Sequence, residues 1–249
     1  MFPTACVGCG AALPWRAPLA LCERCLPRLR APLSPACRGC GRPMLGAAAT
    51  EPGPLCGACR RRAPPWQSLV AAYLYLPPLV GVVRALKFGR CEHLGAALAP
   101  ALAARCAPWS DRLDLVTPVP LPWTRLLARG YNQAEAVARP LARALGLPCP
   151  RLLRRRPRPR QALLSRAERR RNLRGAFATR RPLPAGTRVL LVDDVMTTGA
   201  TLAAAAAALH RAGAVTVLAA VVARTPDSRW GEPDGTGGPG CPERPPHND

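Results

Sequence analysis

The chain has 249 residues, 49% of them hydrophobic but only 4% aromatic, so it can hold one domain of ordinary size, with a core of Ala, Leu and Val, beside a small accessory module. Basic residues outnumber acidic ones by 36 to 14, a formal net charge of +22; such a surface attracts nucleic acids or phosphorylated ligands, although part of the charge is equally well explained as solvated surface. The longest apolar stretches, near residues 202–209 and 217–223, are well short of the ~20 residues of a membrane-spanning helix, and residues 1–10 lack the apolar core of a signal peptide, so we expect a cytoplasmic protein without membrane insertion.

The first region in chain order, residues 1–62, contains eight of the twelve cysteines. In a cytoplasmic protein this density indicates metal binding rather than disulfides. The eight form four Cys-x-x-Cys pairs, at Cys6 and Cys9, Cys22 and Cys25, Cys37 and Cys40, and Cys56 and Cys59. Because two such pairs supply the four thiolates of one tetrahedral site, the spacing predicts two structural zinc ions with no open ligand position. Consecutive and interleaved pairings satisfy the spacing equally well.

The second region, residues 66–224, contains the hydrophobic periodicity of a folded domain. Apolar residues at helical spacing predict one helix over 79–86 and another over 94–102. Asn132, with Glu135 three residues later, resembles a capping box that opens a third helix. These patterns predict three helices in the first half of the domain.

Short apolar runs and one Ala-rich helix follow in alternation. Three runs predict strands, over residues 114–119, 189–192 and 215–222. The helix Ala200–Arg211 separates the last two, and an Arg-rich stretch, 151–174, precedes them. Strands that alternate with helices indicate an α/β domain with a mainly parallel sheet. The final residues, 225–249, are rich in Pro and Gly and predict a disordered tail.

The segment from Val189 to Thr201 combines a buried strand with the residues of an anion site. Its apolar run ends at two adjacent carboxylates, Asp193 and Asp194, and ligands of open α/β sheets bind beyond the carboxyl ends of the strands. Such a pair can accept hydrogen bonds from both hydroxyls of a ribose, or hold Mg²⁺. The residues that follow turn into a helix whose free amides and threonine hydroxyls suit a phosphate. The chemistry of the segment matches a ribose 5-phosphate.

This segment resembles the phosphoribosyl pyrophosphate signature of type I phosphoribosyltransferases. Together with the cysteine module, it makes the chain similar to the ComF family of competence-associated proteins, and the resemblance covers about residues 5–224. Residues 116–133 look like the family's first strand and adjoining loop, and 161–177 look like its Arg-rich flexible segment. The resemblance implies a type I phosphoribosyltransferase-like fold, with a mainly parallel sheet flanked by helices over 66–224, preceded by a double zinc-ribbon module over 1–62.

The resemblance also implies roles for individual residues. Asp193 and Asp194 would hold the ribose hydroxyls of phosphoribosyl pyrophosphate, which binds with Mg²⁺. The residues implied for the 5-phosphate are Thr197, Thr198, Gly199, Ala200 and Thr201, and Met196 is implied as a further substrate-binding residue. The residues implied near the pyrophosphate are Arg129, Gly130 and Asn132.

Two functions remain open at this point. The first is an enzyme that transfers phosphoribose to an unknown acceptor, with Lys87, Arg125 and Arg129 as candidate cations for the charge of the leaving pyrophosphate. The second is a non-catalytic competence accessory protein that binds single-stranded DNA or a helicase partner during DNA uptake. The Arg-rich stretch 151–174 is either a lid over the ligand or a solvated helix face, and no residue pattern identifies an acceptor.

Overall fold

The computed structural model describes residues 4–15, 17–44, 46–48, 53–155 and 175–226. The predicted tail over 225–249 lies outside these residues except for its first two, and so does most of the Arg-rich stretch 151–174. Neither prediction is therefore tested. Nowhere in the described part of the chain is there a helix long and apolar enough to cross a bilayer.

The centre of the molecule is a parallel β-sheet. The described strands are β1 (Ser68–Leu74), β2 (Leu115–Pro118), β3 (Leu153–Arg155), β4 (Phe177–Thr179), β5 (Arg188–Met196) and β6 (Thr216–Arg224). Four of them form the sheet in the order β1-β6-β5-β2, with all neighbours parallel, while β3 and β4 form a separate antiparallel pair. The central strands β5 and β6 are built mainly from Val, Leu and Ala because both of their faces are covered.

Helices cover both faces of this sheet. The described α-helices are α1 (Gly57–Arg61), α2 (Leu79–Phe88), α3 (His93–Cys106), α4 (Trp123–Arg129), α5 (Gln133–Ala144) and α6 (Ala200–Arg211). Short 3₁₀ turns lie at Pro18–Ala20, Leu26–Arg28 and Ala107–Arg112. Leu190 and Val192 of β5 face the core shared with α2, α3 and α5, whereas Val189 and Leu191 face the core shared with α6. This alternation follows from the two-residue period of a strand.

Helices α3 and α5 approach closely at Gly95. A Cβ atom added there would lie 2.5 Å from the backbone carbonyl of Ala136, far inside van der Waals contact. The glycine therefore sets the spacing of the helix layer that supports β2 and β5 from one side.

The predicted fold class is confirmed: a parallel sheet flanked by helices, preceded by a cysteine-rich module. The helix predicted over Ala200–Arg211 has those bounds. Strand β5 is longer than the apolar run 189–192, because its pairing with β6 continues through both aspartates to Met196. Sequence patterns do not reveal β1, which becomes a strand through its pairing with β6.

The predicted capping box forms only in part. The Asn132 side chain accepts a hydrogen bond from the amide of Ala134 and caps α5. The Glu135 carboxylate instead accepts from two arginines, with Oε1 2.6 Å from Arg139 Nη2 and 2.8 Å from Arg151 Nε. A charge-assisted pair with arginine is stronger than a neutral bond to a backbone amide, which explains why Glu135 points away from the cap.

Candidate metal centres and ligand site

The eight paired cysteines form two clusters. In each cluster the four sulfur atoms lie within 4.8 Å of one another, and each contains consecutive pairs. The first cluster is Cys6, Cys9, Cys22 and Cys25; the second is Cys37, Cys40, Cys56 and Cys59. The structure therefore selects the consecutive pairing that the spacing leaves open.

The geometry of both clusters fits zinc. A tetrahedral ion with Zn–S distances of about 2.3 Å places its sulfurs about 3.8 Å apart, and the distances Cys9 Sγ–Cys22 Sγ and Cys40 Sγ–Cys56 Sγ are both 3.7 Å. In the second cluster, the amide of Cys56 donates to Cys37 Sγ at 3.2 Å, a bond that stabilises a thiolate. The clusters are thus suited to structural zinc, with every ligand supplied by the chain.

Cysteines outside the clusters are ordinary packing residues where the structure describes them. Cys91 and Cys106 are buried and Cys149 is half-buried, and none forms a disulfide. Burial raises the pKa of the Cys106 thiol to about 12, which keeps it protonated and unreactive. These three cysteines therefore pack as small apolar residues.

The two predicted carboxylates lie at the carboxyl end of the central strand β5. Asp194 is buried, and its Oδ2 lies 2.6 Å from Lys87 Nζ at the last turn of α2. Asp193 is half-buried, and its Oδ1 accepts a hydrogen bond from the amide of Asp194 at 2.9 Å. Lys87, the only lysine of the chain, is therefore the direct partner of one member of the acid pair.

Burial and neighbouring charges shift the pKa of Asp193 and of two nearby arginines. Burial, followed by the neighbouring Asp194 charge, raises the pKa of Asp193 well above its usual range. Burial and Arg125 lower the pKa of Arg155, while the Asp193 charge opposes that change. Burial and Arg125 likewise lower the pKa of Arg129, opposed by Asp194. Asp193 and Asp194 thus interact electrostatically with Arg155 and Arg129, which Arg125 repels. This arrangement favours an additional anion beside the three arginines.

The loop after β5 turns directly into α6. Gly199 caps this helix with a φ of +75°, a left-handed conformation that favours glycine. Thr197 and Thr198 are exposed, and Thr201 in the first turn of α6 is half-buried. Met196 lies beneath this loop, with its Cε 2.8 Å from the position of a Cβ on Gly199. The exposed Thr197 and Thr198 thus lie directly before the start of α6, where a helix terminus suits an anion; we call residues 197–201 the phosphate loop.

The segment Arg129–Asn132 lies beside the acid pair. Gly130 ends α4 in a left-handed conformation, with φ +81°. The Asn132 side-chain amide donates to the Val119 carbonyl at 3.0 Å, just beyond β2, and the Tyr131 hydroxyl donates to the Leu86 carbonyl. These bonds fasten the segment both to the end of the sheet and to the turn of α2 that carries Lys87.

A cleft of about 630 Å³ opens next to this segment. It is lined by the loops after β2, by Gly130 and Asn132, and by the β3–β4 pair. Arg155 of β3 borders it and lies over the Phe177 ring, 5.4 Å from its centroid. Arg155 belongs to the predicted Arg-rich stretch, and its guanidinium interacts electrostatically with Asp193.

Two residues at the site carry no motif in the sequence. Arg224 is 9% exposed at the end of β6, and its guanidinium donates to the carbonyls of Thr197 and Cys40 at 2.8 and 2.9 Å. Trp66, 6% exposed, donates from Nε1 to the Gly39 carbonyl at 3.0 Å. The sequence does single out Arg224 in one respect, because it is the one charged residue of the mainly apolar strand 216–224.

Family models match both parts of the chain. A double zinc ribbon domain matches residues 1–60, and a phosphoribosyl transferase domain matches residues 130–236. Together with the parallel sheet and the two cysteine clusters, these matches define a phosphoribosyltransferase-type α/β protein with an N-terminal double zinc ribbon.

Curated relatives narrow this class to one family. The chain is 38% identical over 222 residues to the DNA utilization protein YhgH of Salmonella typhimurium, covering 84% of this chain and 95% of the relative. It is 36% identical to YhgH of Escherichia coli K12, covering 74% and 83%. To Competence protein F of Haemophilus influenzae it is 36% identical, covering 59% and 68%. The chain belongs to the ComF family.

Proposed function

We propose that this protein binds phosphoribosyl pyrophosphate, together with Mg²⁺, at the carboxyl end of β5. The observation that carries the proposal is the acid pair Asp193 and Asp194, followed directly by the glycine-capped start of α6. The carboxylates accept hydrogen bonds from the two ribose hydroxyls, and the phosphate loop, Thr197–Thr201, holds the 5-phosphate. Both halves of the ligand then meet groups of matching chemistry within one continuous segment.

The pyrophosphate end of the ligand lies toward Arg129–Asn132 in this proposal. Burial and the neighbouring Arg125 charge lower the pKa of both Arg129 and Arg155 in the free protein, and a polyanion relieves that repulsion. Carboxylate oxygens such as those of the acid pair suit Mg²⁺, and the ion supplies further neutralisation of the pyrophosphate charge. The ammonium of Lys87 lies 2.6 Å from Asp194 Oδ2, beside the proposed ribose position.

We further propose that the bound phosphoribose is transferred to an acceptor. This transfer needs a nucleophile at ribose C1 as the bond to pyrophosphate breaks, and neutralisation of the leaving pyrophosphate. The cleft of about 630 Å³ beside Gly130 offers space for an acceptor next to the ligand. Release of pyrophosphate on addition of candidate nucleobases would demonstrate turnover, and binding without release would indicate a sensor or scaffold.

Calorimetric titration with phosphoribosyl pyrophosphate and Mg²⁺ tests the binding site. The wild type should bind at micromolar concentration, and the double variant Asp193→Asn with Asp194→Asn should lose binding while it keeps its zinc. Asp114→Asn is the matched control, because Asp114 pairs with Arg188 at the opposite end of the sheet and should not change the affinity. Equal affinity in the double variant and the wild type would exclude the site.

A role in DNA utilisation is the second candidate, and the names of the curated relatives favour it. The described surface includes Trp123, 61% exposed, on the border of the cleft, and the chain carries a net charge of +22. We infer single-stranded DNA or a helicase that acts on it as the partner. Binding of a labelled oligonucleotide that weakens steeply with salt would support this role, and Trp123→Ala should weaken it further if bases stack there.

The organisation that we propose around this site has three parts. Residues 1–62 are a structural double zinc ribbon, residues 66–224 are the phosphoribosyltransferase-like domain, and residues 225–249 are a Pro- and Gly-rich tail. We also propose a cytoplasmic location, where reduced thiols remain free to hold zinc.

A further inference from the structure

The second cysteine cluster is physically joined to the phosphate loop. Cys40 is a ligand position of that cluster, and its carbonyl accepts from Arg224 Nε at 2.9 Å. The same guanidinium donates from Nη1 to the carbonyl of Thr197 at 2.8 Å and to that of Met196 at 3.4 Å. One buried side chain therefore holds the backbone of the cysteine turn and the backbone of the loop at the same time.

A second side chain makes the same connection independently. The indole Nε1 of Trp66 donates to the carbonyl of Gly39, the residue before Cys40. The far edge of the same ring lies 3.3 Å from the position of a Cβ on Gly199, which caps α6. Trp66 thus packs between the cysteine turn and the turn of the phosphate loop.

The direction of these bonds affects what the loop can bind. In a trans peptide the carbonyl of one residue and the amide of the next point in opposite directions. The Thr197 carbonyl accepts from Arg224, and the Met196 carbonyl accepts from the amide of Thr225 at 3.0 Å and from Arg224 at 3.4 Å. Because both carbonyls point toward the end of β6, the amides of Thr197 and Thr198 point to the opposite side. Outward amides are the groups with which a loop at a helix start binds a phosphate.

We propose that the second zinc-ribbon cluster positions the phosphate loop for the 5-phosphate of its ligand, through Arg224 and Trp66 as positioning residues. The proposal rests on the proposed function for the identity of the ligand. It assigns the zinc ribbon a task beyond its own folding: the fixed backbone of Gly39 and Cys40 is the rigid support against which the loop is held. Burial of a guanidinium costs free energy unless its N–H groups make hydrogen bonds. The bonds from Arg224 to the carbonyls of Cys40 and Thr197 therefore link the cysteine turn closely to the phosphate loop.

Two partial ligands distinguish positioning of the phosphate loop from a general loss of structure at the ligand site. Ribose 5-phosphate carries the 5-phosphate without a pyrophosphate, and pyrophosphate with Mg²⁺ carries no 5-phosphate. In calorimetric titrations, Arg224→Met should weaken ribose 5-phosphate by about tenfold or more, as expected for loss of hydrogen bonds to a charged donor, and should leave pyrophosphate unchanged. Arg224→Lys, which keeps the charge, should recover part of the affinity.

The matched control is Arg38→Met. Arg38 also belongs to the second cysteine module, and its Nη1 donates across to the carbonyl of Gln67 at 2.8 Å. That bond joins the module to the residue before β1 and not to the backbone of the phosphate loop. The control variant should therefore lose a comparable connection between module and domain without any change in affinity for either partial ligand.

Hydrogen–deuterium exchange of the amides in residues 196–201, without any ligand, makes the inference testable separately from the proposed function. Arg224→Met and Trp66→Phe should accelerate exchange there, and Arg38→Met should not. If the wild type binds neither partial ligand but the exchange pattern holds, the proposed function fails and the mechanical coupling stands. Unchanged exchange in both Arg224→Met and Trp66→Phe, or equal weakening of both partial ligands, would overturn the inference.

Discussion

Replacing Lys87 with methionine should destabilise the protein by leaving a buried carboxylate without its cation. The Asp194 side chain is 7% exposed and lies 2.6 Å from Lys87 Nζ, whose own side chain is 22% exposed. Removing one partner of a buried ion pair costs about 3–5 kcal/mol. Because water reaches the lysine end of this pair, we expect about 2–3 kcal/mol. For a chain of this size that corresponds to a fall in Tm of roughly 4–12 °C.

A double-mutant cycle isolates the pair from other effects of the substitution. Asp194→Asn alone should cost less, because Lys87 can extend toward solvent once the acid is gone. In the combined variant the loss should be about 1–2 kcal/mol smaller than the sum of the two single losses. The measurement is chemical denaturation of all four proteins at neutral pH.

The control for this cycle is Arg84→Met, on the exposed side of the same helix. It should change the free energy of unfolding by no more than about 0.5 kcal/mol. If the losses from Lys87→Met and Asp194→Asn add within about 0.5 kcal/mol, the pair is not coupled in solution and the role assigned to Lys87 is refuted.

Two further predictions concern the metal centres and proton linkage. Cys9→Ala combined with Cys22→Ala removes two ligands of the first cluster, so metal analysis should find one zinc per chain; an interleaved pairing would leave none. The pKa of Asp193 is raised in the free protein by burial and by Asp194, while a ribose diol favours the carboxylate. Ligand binding should therefore release a proton from Asp193. The affinity should be highest above the pKa that Asp193 has in the free protein, and it should decline as the pH falls through that pKa. Calorimetry in two buffers of different ionisation enthalpy measures the proton release.

Each of these two predictions has an outcome that contradicts it. Complete loss of zinc from the double cysteine variant, with the chain still folded, would contradict the consecutive pairing. For the prediction of proton release, Asp193→Asn should abolish the difference in binding enthalpy between the two buffers. A buffer-dependent enthalpy of the same size in that variant would place the titrating group elsewhere.

Local sequence patterns were enough to predict the elements that are stabilised by residues nearby in the chain. The helix Ala200–Arg211 follows from an Ala-rich run after a glycine, and the core of β5 follows from four consecutive apolar residues. The four Cys-x-x-Cys pairs likewise indicate thiolate sites, because each pair comes from one tight turn.

Short or atypical strands were beyond these patterns. β1 contains two alanines, a residue type that strands disfavour, and β3 and β4 have three residues each. Such segments become strands only because a neighbouring strand satisfies their backbone hydrogen bonds. The same reasoning applies to Glu135, whose partner Arg151 lies beyond the helix that its capping pattern describes.

The sequence by itself determined the family, the zinc-type cysteine pairs and the acid pair followed by a phosphate-type loop, since all of these are encoded in contiguous residues. Only the tertiary structure decided which cysteine pairs share a site, that Lys87 is the partner of Asp194, and that Arg224 joins Cys40 to Thr197. Arg224 and Cys40 are 184 residues apart. Contacts at that separation leave no periodicity or spacing in the chain, because they arise where the parallel sheet brings the ends of distant strands to one edge.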